Sequence, residues 1–318
     1  MPSRFPPKLT PQWRCVQPNA GAILLPSLLE SIVRTFQSCC PFCGNNNLDD
    51  RFEANGYRIT RCPKCSLVFV RDEVPVDELQ AYYDHDSADY IYTDDDNNEM
   101  LANYYRKCVD LIRQYHPGGK LLDVGCSTGQ FLGTLGEEWD RYGIEISSRD
   151  AERATARFGD RIFNGTLEAY DRESGFQAIT MMDVLDHARR PLEELGRVNE
   201  LLAPGGVVII KVHNIDCLWA KVSGGSWYAV VPPAHLFYFN RRTLDAALKK
   251  AGLAMVDSKF IGQTIALKTI PYRLAQNNED SFFHKLHLAL GKTRLGDIPI
   301  YKNLHDIITV VGRKPLDG

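Results

Sequence analysis

The sequence lacks long apolar runs and an export signal. No run approaches the roughly 20 consecutive apolar residues that a membrane-spanning helix requires. The proline-rich start, Met1-Pro-Ser-Arg-Phe-Pro-Pro, does not show the cleavage pattern of a secretory signal peptide. We therefore expect no membrane span and a cytoplasmic location.

The sequence also lacks an excess of charge of either sign, and it has no evident internal repeat. Its 37 Lys and Arg residues nearly balance its 40 Asp and Glu residues, which gives a formal net charge of −3. This balance provides no general attraction to a polyanion and argues against a nucleic-acid partner. Apolar residues make up 44% of the 318 residues, so the chain can bury the core of a catalytic domain and carry smaller additions.

Four of the nine cysteines form two C-x-x-C pairs, Cys40 with Cys43 and Cys62 with Cys65. The 18 residues between the pairs fall in the range that is typical of zinc sites. Four thiolates complete a tetrahedron around Zn²⁺ and leave no open position, so the site would be structural. A redox-active disulfide pair is the alternative. The intervening Asn55-Gly56 predicts a hairpin turn, as a zinc ribbon requires.

A glycine-rich turn follows a short apolar run at residues 120–124. Gly125 and Gly129 allow the backbone to bend sharply and to approach a ligand closely. The run before them predicts a buried parallel strand, and residues 130–135 predict the start of a helix. The spacing differs from the G-x-G-x-x-G of dinucleotide-binding folds, which argues against a nicotinamide oxidoreductase. The pattern indicates a nucleoside cofactor that is bound without a phosphate cradle.

An acidic residue ends the next apolar run. Glu145 lies 22 positions after Asp123, where a βαβ unit places a carboxylate that accepts hydrogen bonds from both ribose hydroxyls. A ribose-binding acid without phosphate recognition indicates S-adenosylmethionine as the cofactor.

These motifs resemble those of the class I S-adenosylmethionine-dependent methyltransferases. Further landmarks occur in that family's order at residues 165–168, 183–187, 201–206 and 232–239. The resemblance covers about residues 119–260. It implies an enzyme that transfers a methyl group.

The resemblance also implies which residues bind the cofactor. Asp123 and the loop after it would hold the methionine end, whose ammonium needs acceptors and whose carboxylate needs donors. In that loop Ser127 stands where the family usually has glycine. Residues after the third strand would flank the adenine, and residues after the fourth strand would line the carboxyl edge of the sheet. The implied cofactor-binding residues are Asp123, Gly125, Cys126, Ser127, Gly129, Glu145, Ile146, Thr166, Leu167, Asp183, Val184 and His187.

Candidates for the acceptor site follow the fifth predicted strand, residues 207–212. Methyl transfer needs alignment, and it needs a base where the acceptor must lose a proton. His235 is the first candidate for that base because an imidazole accepts a proton near neutral pH, and Tyr238 and His213 come next. A hydrogen-bonded loop histidine is the alternative interpretation of His235. The loop 223–235, with its Trp-Tyr pair, would form one wall of the acceptor site.

Residues 234–239 resemble a histidine and tyrosine motif of zinc-containing sugar C-methyltransferases. Those proteins usually have glutamate before the histidine, where this sequence has Ala234. The departure argues against a ketosugar substrate. The wider pattern is similar to methyltransferases of sugar and polysaccharide biosynthesis, so we predict a small-molecule or sugar-containing acceptor.

We predict a doubly wound α/β domain with seven strands in the Rossmann-like methyltransferase order, preceded by a small Cys₄ zinc ribbon. An apolar stripe over residues 22–36 predicts an amphipathic helix, through which a homo-oligomer could form. A zinc-ribbon RNA methyltransferase and a non-enzymatic zinc-binding protein with a vestigial cofactor fold are the alternatives. The predicted units are an N-terminal extension (1–38), the ribbon (39–75), a helical cover (76–118) and the methyltransferase domain (119–318).

Overall fold

A computed structural model of the chain describes residues 36–75, 79, 98–275 and 280–316. The predicted amphipathic helix over 22–36 lies outside these residues except for Phe36. Among the helices of the described residues, none combines the length and the apolar character that are needed to cross a bilayer.

The described residues form thirteen strands and seven α-helices. In chain order the strands are β1 Asp49–Ala54, β2 Tyr57–Arg61, β3 Val68–Val70, β4 Gly119–Val124, β5 Trp139–Glu145, β6 Ile162–Asn164, β7 Phe176–Met182, β8 Leu202–His213, β9 Phe237–Tyr238, β10 Ala254–Lys259, β11 Gln263–Ala266, β12 Pro299–Lys302 and β13 Ile307–Arg313. The helices are α1 Asn98–Arg113, α2 Ser148–Phe158, α3 Pro191–Leu201, α4 Leu218–Ser223, α5 Arg241–Lys250, α6 Thr269–Ala275 and α7 Phe282–Gly291.

Seven strands form one mixed sheet in the order β10-β13-β8-β7-β4-β5-β6. Strands β8, β7, β4, β5 and β6 pair in parallel, whereas β13 pairs antiparallel with both β8 and β10. The chain builds the sheet outward from β4 in both directions. The predicted doubly wound α/β class with seven strands is therefore confirmed.

Side chains of the parallel strands alternate between the two faces of this sheet. Leu122 of β4 and Ile210 of β8 belong to one buried cluster, whereas their neighbours Leu121 and Ile209 belong to another. Continuous apolar strands of this kind are typical of parallel sheets that are covered on both faces. Both faces are thus closed by packing, and the carboxyl ends of the parallel strands meet at one edge, where the loops carry the site.

The prediction of a helix directly after the glycine-rich turn was wrong. Within the described residues 125–138, only a 3₁₀ turn forms at Leu132–Thr134, and Leu135 is already extended with ψ of 141°. Gly133 and Gly136 lower the helix propensity of this stretch, because glycine loses more backbone entropy than other residues in a helix.

The cysteine-bearing segment contributes three strands to a second sheet, which has the antiparallel order β1-β2-β3-β9. The hairpin between β1 and β2 turns at Asn55 and Gly56, whose φ values are +49° and +75°. Two successive left-handed residues define a type I′ turn, which matches the twist of the flanking strands. The predicted Asn-Gly hairpin is therefore confirmed.

The fourth strand of that second sheet, β9, comes from the loops beyond the larger sheet. Phe69 pairs with Phe237, and the N–H of Val70 donates to the carbonyl oxygen of Leu236 at 2.8 Å. The ring of Phe42 stacks on Phe237, with 6.2 Å between their centroids. One buried cluster runs from this sheet into the larger one. The cysteine-bearing segment is therefore packed against the segment that carries His235.

Candidate functional site

The glycine-rich turn leaves the carboxyl end of β4 and needs both of its glycines. Gly125 has φ of +72°, and a Cβ there would lie 2.7 Å from Cγ2 of Val184. Gly129 has φ of +77°, and a Cβ there would lie 2.5 Å from the ring of Phe158. Between them Cys126 is buried, with 3% of its surface exposed. A side chain at either glycine would force the turn away from its neighbours.

Glu145 ends β5 and joins the glycine-rich turn to the next loop. Its Oε2 accepts from the N–H of Ser127, and its Oε1 accepts from the N–H of Ser147, each at 2.8 Å. Ser127 has φ of +46°, so it keeps the left-handed backbone that glycine favours at this position. Burial raises the pKa of Glu145. Its oxygens retain lone pairs for further donors, and the adjacent Ile146 is 43% exposed.

Asp123 of β4 lies close to Glu145 and is buried. Its Oδ1 accepts from the hydroxyl of Thr180 at 2.6 Å. Burial raises the pKa of Asp123 to about 7; the hydrogen bond from Thr180 opposes this rise, and the charge of Glu145 adds to it. A neighbouring cation, such as an ammonium group, would favour the ionised form.

The turn after β7 contains Asp183, Val184 and His187. Asp183 has φ of +56°, and its Oδ2 accepts from Nζ of Lys211, a buried residue of β8. A buried ammonium is costly unless it is paired, so this ion pair stabilises the turn at the carboxyl edge of the sheet.

Thr166 and Leu167 follow β6 at the same edge. Thr166 is exposed, whereas Leu167 is buried and packs in the core. Only the side chain of Thr166 is therefore accessible to a ligand, and Leu167 would contribute its backbone.

A histidine cluster, formed by Asp186, His187, His213 and His235, lies beyond β7 and β8. Oδ2 of Asp186 is 3.4 Å from Nδ1 of His213, and Oδ1 is 3.9 Å from Nε2 of His187. The ring of His235 is 4.6 Å from that of His187 and 4.9 Å from that of His213. Burial alone would raise the pKa of Asp186, but the surrounding histidines outweigh it and hold that pKa well below its usual range. The cluster therefore contains an ionised carboxylate among imidazoles.

His235 is the most deeply buried imidazole of this cluster and is oriented by the backbone. Its Nδ1 is 2.7 Å from the carbonyl oxygen of Ala229, so Nδ1 carries the proton and donates. Burial, with the nearby His187, lowers the pKa of His235 to about 3. Tyr238 of β9 is also buried, which raises the pKa of its phenol. The side chain of His213 is 18% exposed and is more accessible than either.

The loop before His235 packs against the histidine cluster. The ring of Trp227 is 6.0 Å from that of His213, and the ring of Tyr228 is 5.7 Å from it. Trp227 is only 1% exposed, while the hydroxyl of Tyr228 donates to Oδ2 of Asp306 at 2.5 Å. The structure thus brings this aromatic pair beside His213, and its role as a wall of the acceptor site stays a prediction.

The four predicted metal-ligand cysteines come together on two turns. The Sγ atoms of Cys40 and Cys65 are 3.5 Å apart, as are those of Cys43 and Cys62, and all four lie within 4.8 Å of one another. In each C-x-x-C turn the residue after the second cysteine is left-handed, with φ of +66° and +68°. Zn–S bonds of about 2.3 Å place sulfurs about 3.8 Å apart in a tetrahedron, so this arrangement fits a zinc ion.

A protein family described as "Methyltransferase domain" matches residues 100–258, which is half of the chain. The chain belongs to the class I S-adenosylmethionine-dependent methyltransferases. The sheet order and the glycine-rich turn agree with that membership, and the cofactor of this methyltransferase is S-adenosylmethionine.

Curated relatives of the methyltransferase include two ubiquinone biosynthesis O-methyltransferases. The protein from Ruegeria pomeroyi is 28% identical over 167 residues, which cover 45% of this chain and 62% of the relative. The protein from Xanthomonas campestris pv. campestris is 26% identical over 110 residues, which cover 31% of this chain and 44% of the relative. The chain thus spans between 44% and 62% of the length of these relatives.

Solved structures similar to the methyltransferase include the 1,6-didemethyltoxoflavin-N1-methyltransferase of Burkholderia thailandensis with bound S-adenosylhomocysteine. It is 15% identical, with coverage of 84% of this chain and 99% of that chain and a TM-score of 0.47. A methyltransferase from Thermotoga maritima, described as a possible histamine N-methyltransferase, is 17% identical. The match covers 75% of this chain and 96% of that chain, with a TM-score of 0.44.

Two charged residues near these sites, Asp186 and Lys211, are not among those predicted from the sequence. Asp186 directly precedes His187 in the loop after a buried strand, and this position could have identified Asp186 as a candidate site residue. Lys211 interrupts the apolar run of β8, and a charge inside a buried strand indicates an ion pair. The parallel pairing of β7 with β8 places Asp183 beside Lys211.

The raised pKa of Asp123 predicts a pH-dependent contribution to the stability of the methyltransferase. The folded state keeps this proton up to about pH 7, whereas an unfolded aspartate releases it at about pH 3.9. Between these values the folded state binds more protons, so this group lowers the free energy of unfolding as pH rises. Urea unfolding of the wild type and Asp123→Asn, at about pH 5 and about pH 8, should show the variant gaining relative stability at the higher pH. A difference that does not change with pH would contradict the assignment.

Proposed function

We propose that the methyltransferase methylates a hydroxyl oxygen of a small molecule, with sugar hydroxyls included in that class. The observation that carries this proposal is the histidine cluster, which lies beyond β7 and β8. Strand β7 pairs with β4, from which the glycine-rich turn leaves, and β8 is the next strand on that side. A hydroxyl acceptor must lose a proton, and imidazoles around an ionised carboxylate can take it.

The proposed cofactor site lies at the carboxyl ends of β4, β5, β6 and β7. S-adenosylmethionine supplies a methyl group that is activated by a positively charged sulfur. Glu145 would accept the ribose hydroxyls, and Ile146 and Thr166 would flank the adenine. Asp123 and Asp183 would face the ammonium group. Oδ1 of Asp183 is buried and has no hydrogen-bond partner in the described part of the chain, which supports a cationic neighbour.

We propose His213 as the base. Its Nδ1 faces Asp186, so Nε2 is the atom that would take the proton of the acceptor hydroxyl. The carboxylate of Asp186 then stabilises the imidazolium that forms. The acceptor oxygen forms its bond to the methyl carbon, and the electron pair of the broken C–S bond stays on sulfur.

His235 and Tyr238 are proposed to line the acceptor site beside His213. The low pKa of His235, about 3, makes it a weaker proton acceptor in this conformation. Its fixed hydrogen bond to Ala229 suits a group that orients the acceptor or a neighbouring imidazole. His235 as the base remains the competing assignment, and a comparison of variants separates the two.

The names of the curated relatives support oxygen as the methylated atom, since both are O-methyltransferases. The RNA methyltransferase alternative has less support, because the formal charge of −3 provides no general attraction to a polyanion.

We also propose that the four cysteines bind a structural zinc ion, within a ribbon of residues 39–75 that precedes the methyltransferase domain of residues 119–318. The ribbon holds the segment that carries His235. The Nδ2 of Asn55 donates to the carbonyl oxygen of Pro232 at 2.9 Å, and β3 pairs with β9. Zinc would therefore act on catalysis only indirectly, by keeping this segment in place.

Replacing Glu145 with alanine should weaken binding of S-adenosylmethionine by about 1.5–3 kcal/mol, the range for a hydrogen bond to a charged group. The matched control is Glu152→Ala, because Glu152 is an exposed glutamate on the adjacent helix α2. Isothermal titration calorimetry measures both variants. An unchanged affinity in Glu145→Ala would reject this residue as the ribose ligand.

Replacing His213 with alanine should reduce kcat by about 10²–10⁴-fold, the usual contribution of a positioned base, without changing cofactor affinity. His235→Ala is measured in parallel, and His284→Ala, on α7, is the matched control. Formation of S-adenosylhomocysteine is followed with a panel of phenols, catechols, sugars and amines. If His235→Ala alone produces the loss, the base is His235. If only amines react and neither variant matters, the acceptor class is wrong.

Replacing Cys65 with serine should remove one equivalent of zinc per chain and lower the melting temperature. The control is Cys108→Ser, which alters a buried cysteine outside the ribbon and should keep the zinc. Elemental analysis of protein purified without chelator measures the content. Equal zinc in Cys65→Ser and wild type would remove the ribbon site from consideration.

A further inference from the structure

We propose that the methyltransferase binds a second divalent metal ion, through Asp186, His187 and His235, at the acceptor side of the catalytic site. One carboxylate oxygen of Asp186 and one ring nitrogen of each histidine lie within 4.8 Å of one another. This second metal ion would serve the proposed function, and its role in catalysis rests on that function. The presence of the ion can be tested without any acceptor.

His235 and Asp186 each carry a buried lone pair at this site. Nδ1 of His235 donates to the carbonyl oxygen of Ala229, which accepts only, so Nε2 of this ring carries a lone pair. That Nε2 is buried and has no hydrogen-bond partner among the described residues, and the same holds for Oδ1 of Asp186. His235 is 4% exposed and Asp186 is 2% exposed. Buried acceptor atoms without donors are costly, and a shared cation would satisfy both.

The three side chains together form a ligand set that is typical of metal sites with open positions. Two imidazoles and one carboxylate form the set that catalytic zinc and non-haem iron sites use, with positions left open for water or substrate. Hard ions such as Mg²⁺ and Ca²⁺ prefer oxygen ligands, so this site favours a transition metal. The ribbon differs in kind, because four thiolates leave no open position.

Hydrogen bonds from outside the site hold the ligands in place. His213 contacts the other oxygen of Asp186 at 3.4 Å, and Ala229 orients the ring of His235. The N–H groups of Leu236 and Phe237 both donate to the carbonyl oxygen of Asp186, at 2.8 and 3.1 Å. Outer hydrogen bonds of this kind orient ligands in metal sites. The two loops that supply the ligands are therefore fixed to each other.

Binding would draw the three ligand atoms closer together. Metal–ligand bonds of about 2.1 Å place neighbouring ligand atoms about 3.4 Å apart in a tetrahedral site. Nε2 of His187 is 3.9 Å from Oδ1 of Asp186, so this pair needs a shift of only about half an ångström by that standard. A divalent ion there would lower the pKa of a hydroxyl acceptor, which would make proton transfer to His213 easier.

The test is metal analysis of the untagged full chain after loading with Co²⁺ and desalting. We expect two equivalents per chain in the wild type and one in Asp186→Asn and in His235→Ala. Cys40→Ser should lose the other equivalent, and His284→Ala should keep both. Cobalt bound by thiolates shows sulfur-to-metal charge-transfer absorption that an imidazole and carboxylate site lacks, so the spectrum identifies which ion is lost. His213→Ala, which removes an outer contact, should weaken Co²⁺ binding at the second site by about 10–100-fold.

Wild-type protein that retains only the equivalent removed by Cys40→Ser would overturn the proposal and leave the proposed methyl transfer intact. Circular dichroism shows whether Asp186→Asn and His235→Ala fold. If they do not, anomalous diffraction from Co²⁺-soaked wild-type crystals decides the question. A peak bonded to the three ligand atoms supports the site, and a peak only at the four cysteines overturns it.

Discussion

Backbone hydrogen bonds among three segments position the histidine cluster of this methyltransferase. The ribbon strand β3 bonds to the segment around Leu236, and that segment in turn donates to the carbonyl oxygen of Asp186. Backbone bonds constrain geometry more tightly than side-chain contacts, because the rigid peptide groups themselves are aligned. The cysteine-bearing segment is thus connected to the proposed acceptor site, although its cysteines do not belong to that site.

Burial of charge is the second constraint at the carboxyl edge of the sheet. Desolvation disfavours Asp186 as an ion, and the surrounding histidines reverse that effect. Lys211 and Asp183 offset the cost of burying their charges by forming a direct ion pair. Asp123 has no cationic partner in the described residues, and burial therefore raises its pKa to about 7. One edge of the sheet therefore contains a carboxyl group with a raised pKa, an ion pair and a carboxylate among imidazoles.

Much of the local fold around the proposed cofactor site was predictable because its determinants are local. The apolar run before Gly125 identified β4, and the acid at the end of the next run identified Glu145 at the end of β5. The Asn55-Gly56 hairpin likewise depends only on adjacent residues. The expected helix after the glycine-rich turn was wrong, since glycines in that stretch weaken a periodic apolar pattern.

By itself, the sequence determined the five parallel strands of the larger sheet, the glycine-rich turn and the pairing of cysteines by spacing, because periodicity and residues a few positions apart encode these features. The seven-stranded fold class was implied by the resemblance to a family. Only the tertiary structure placed Asp186 among three histidines and joined β9 to the ribbon. These contacts connect residues that are far apart in the sequence, and their partners are selected by packing and desolvation of the whole core, which no local pattern encodes.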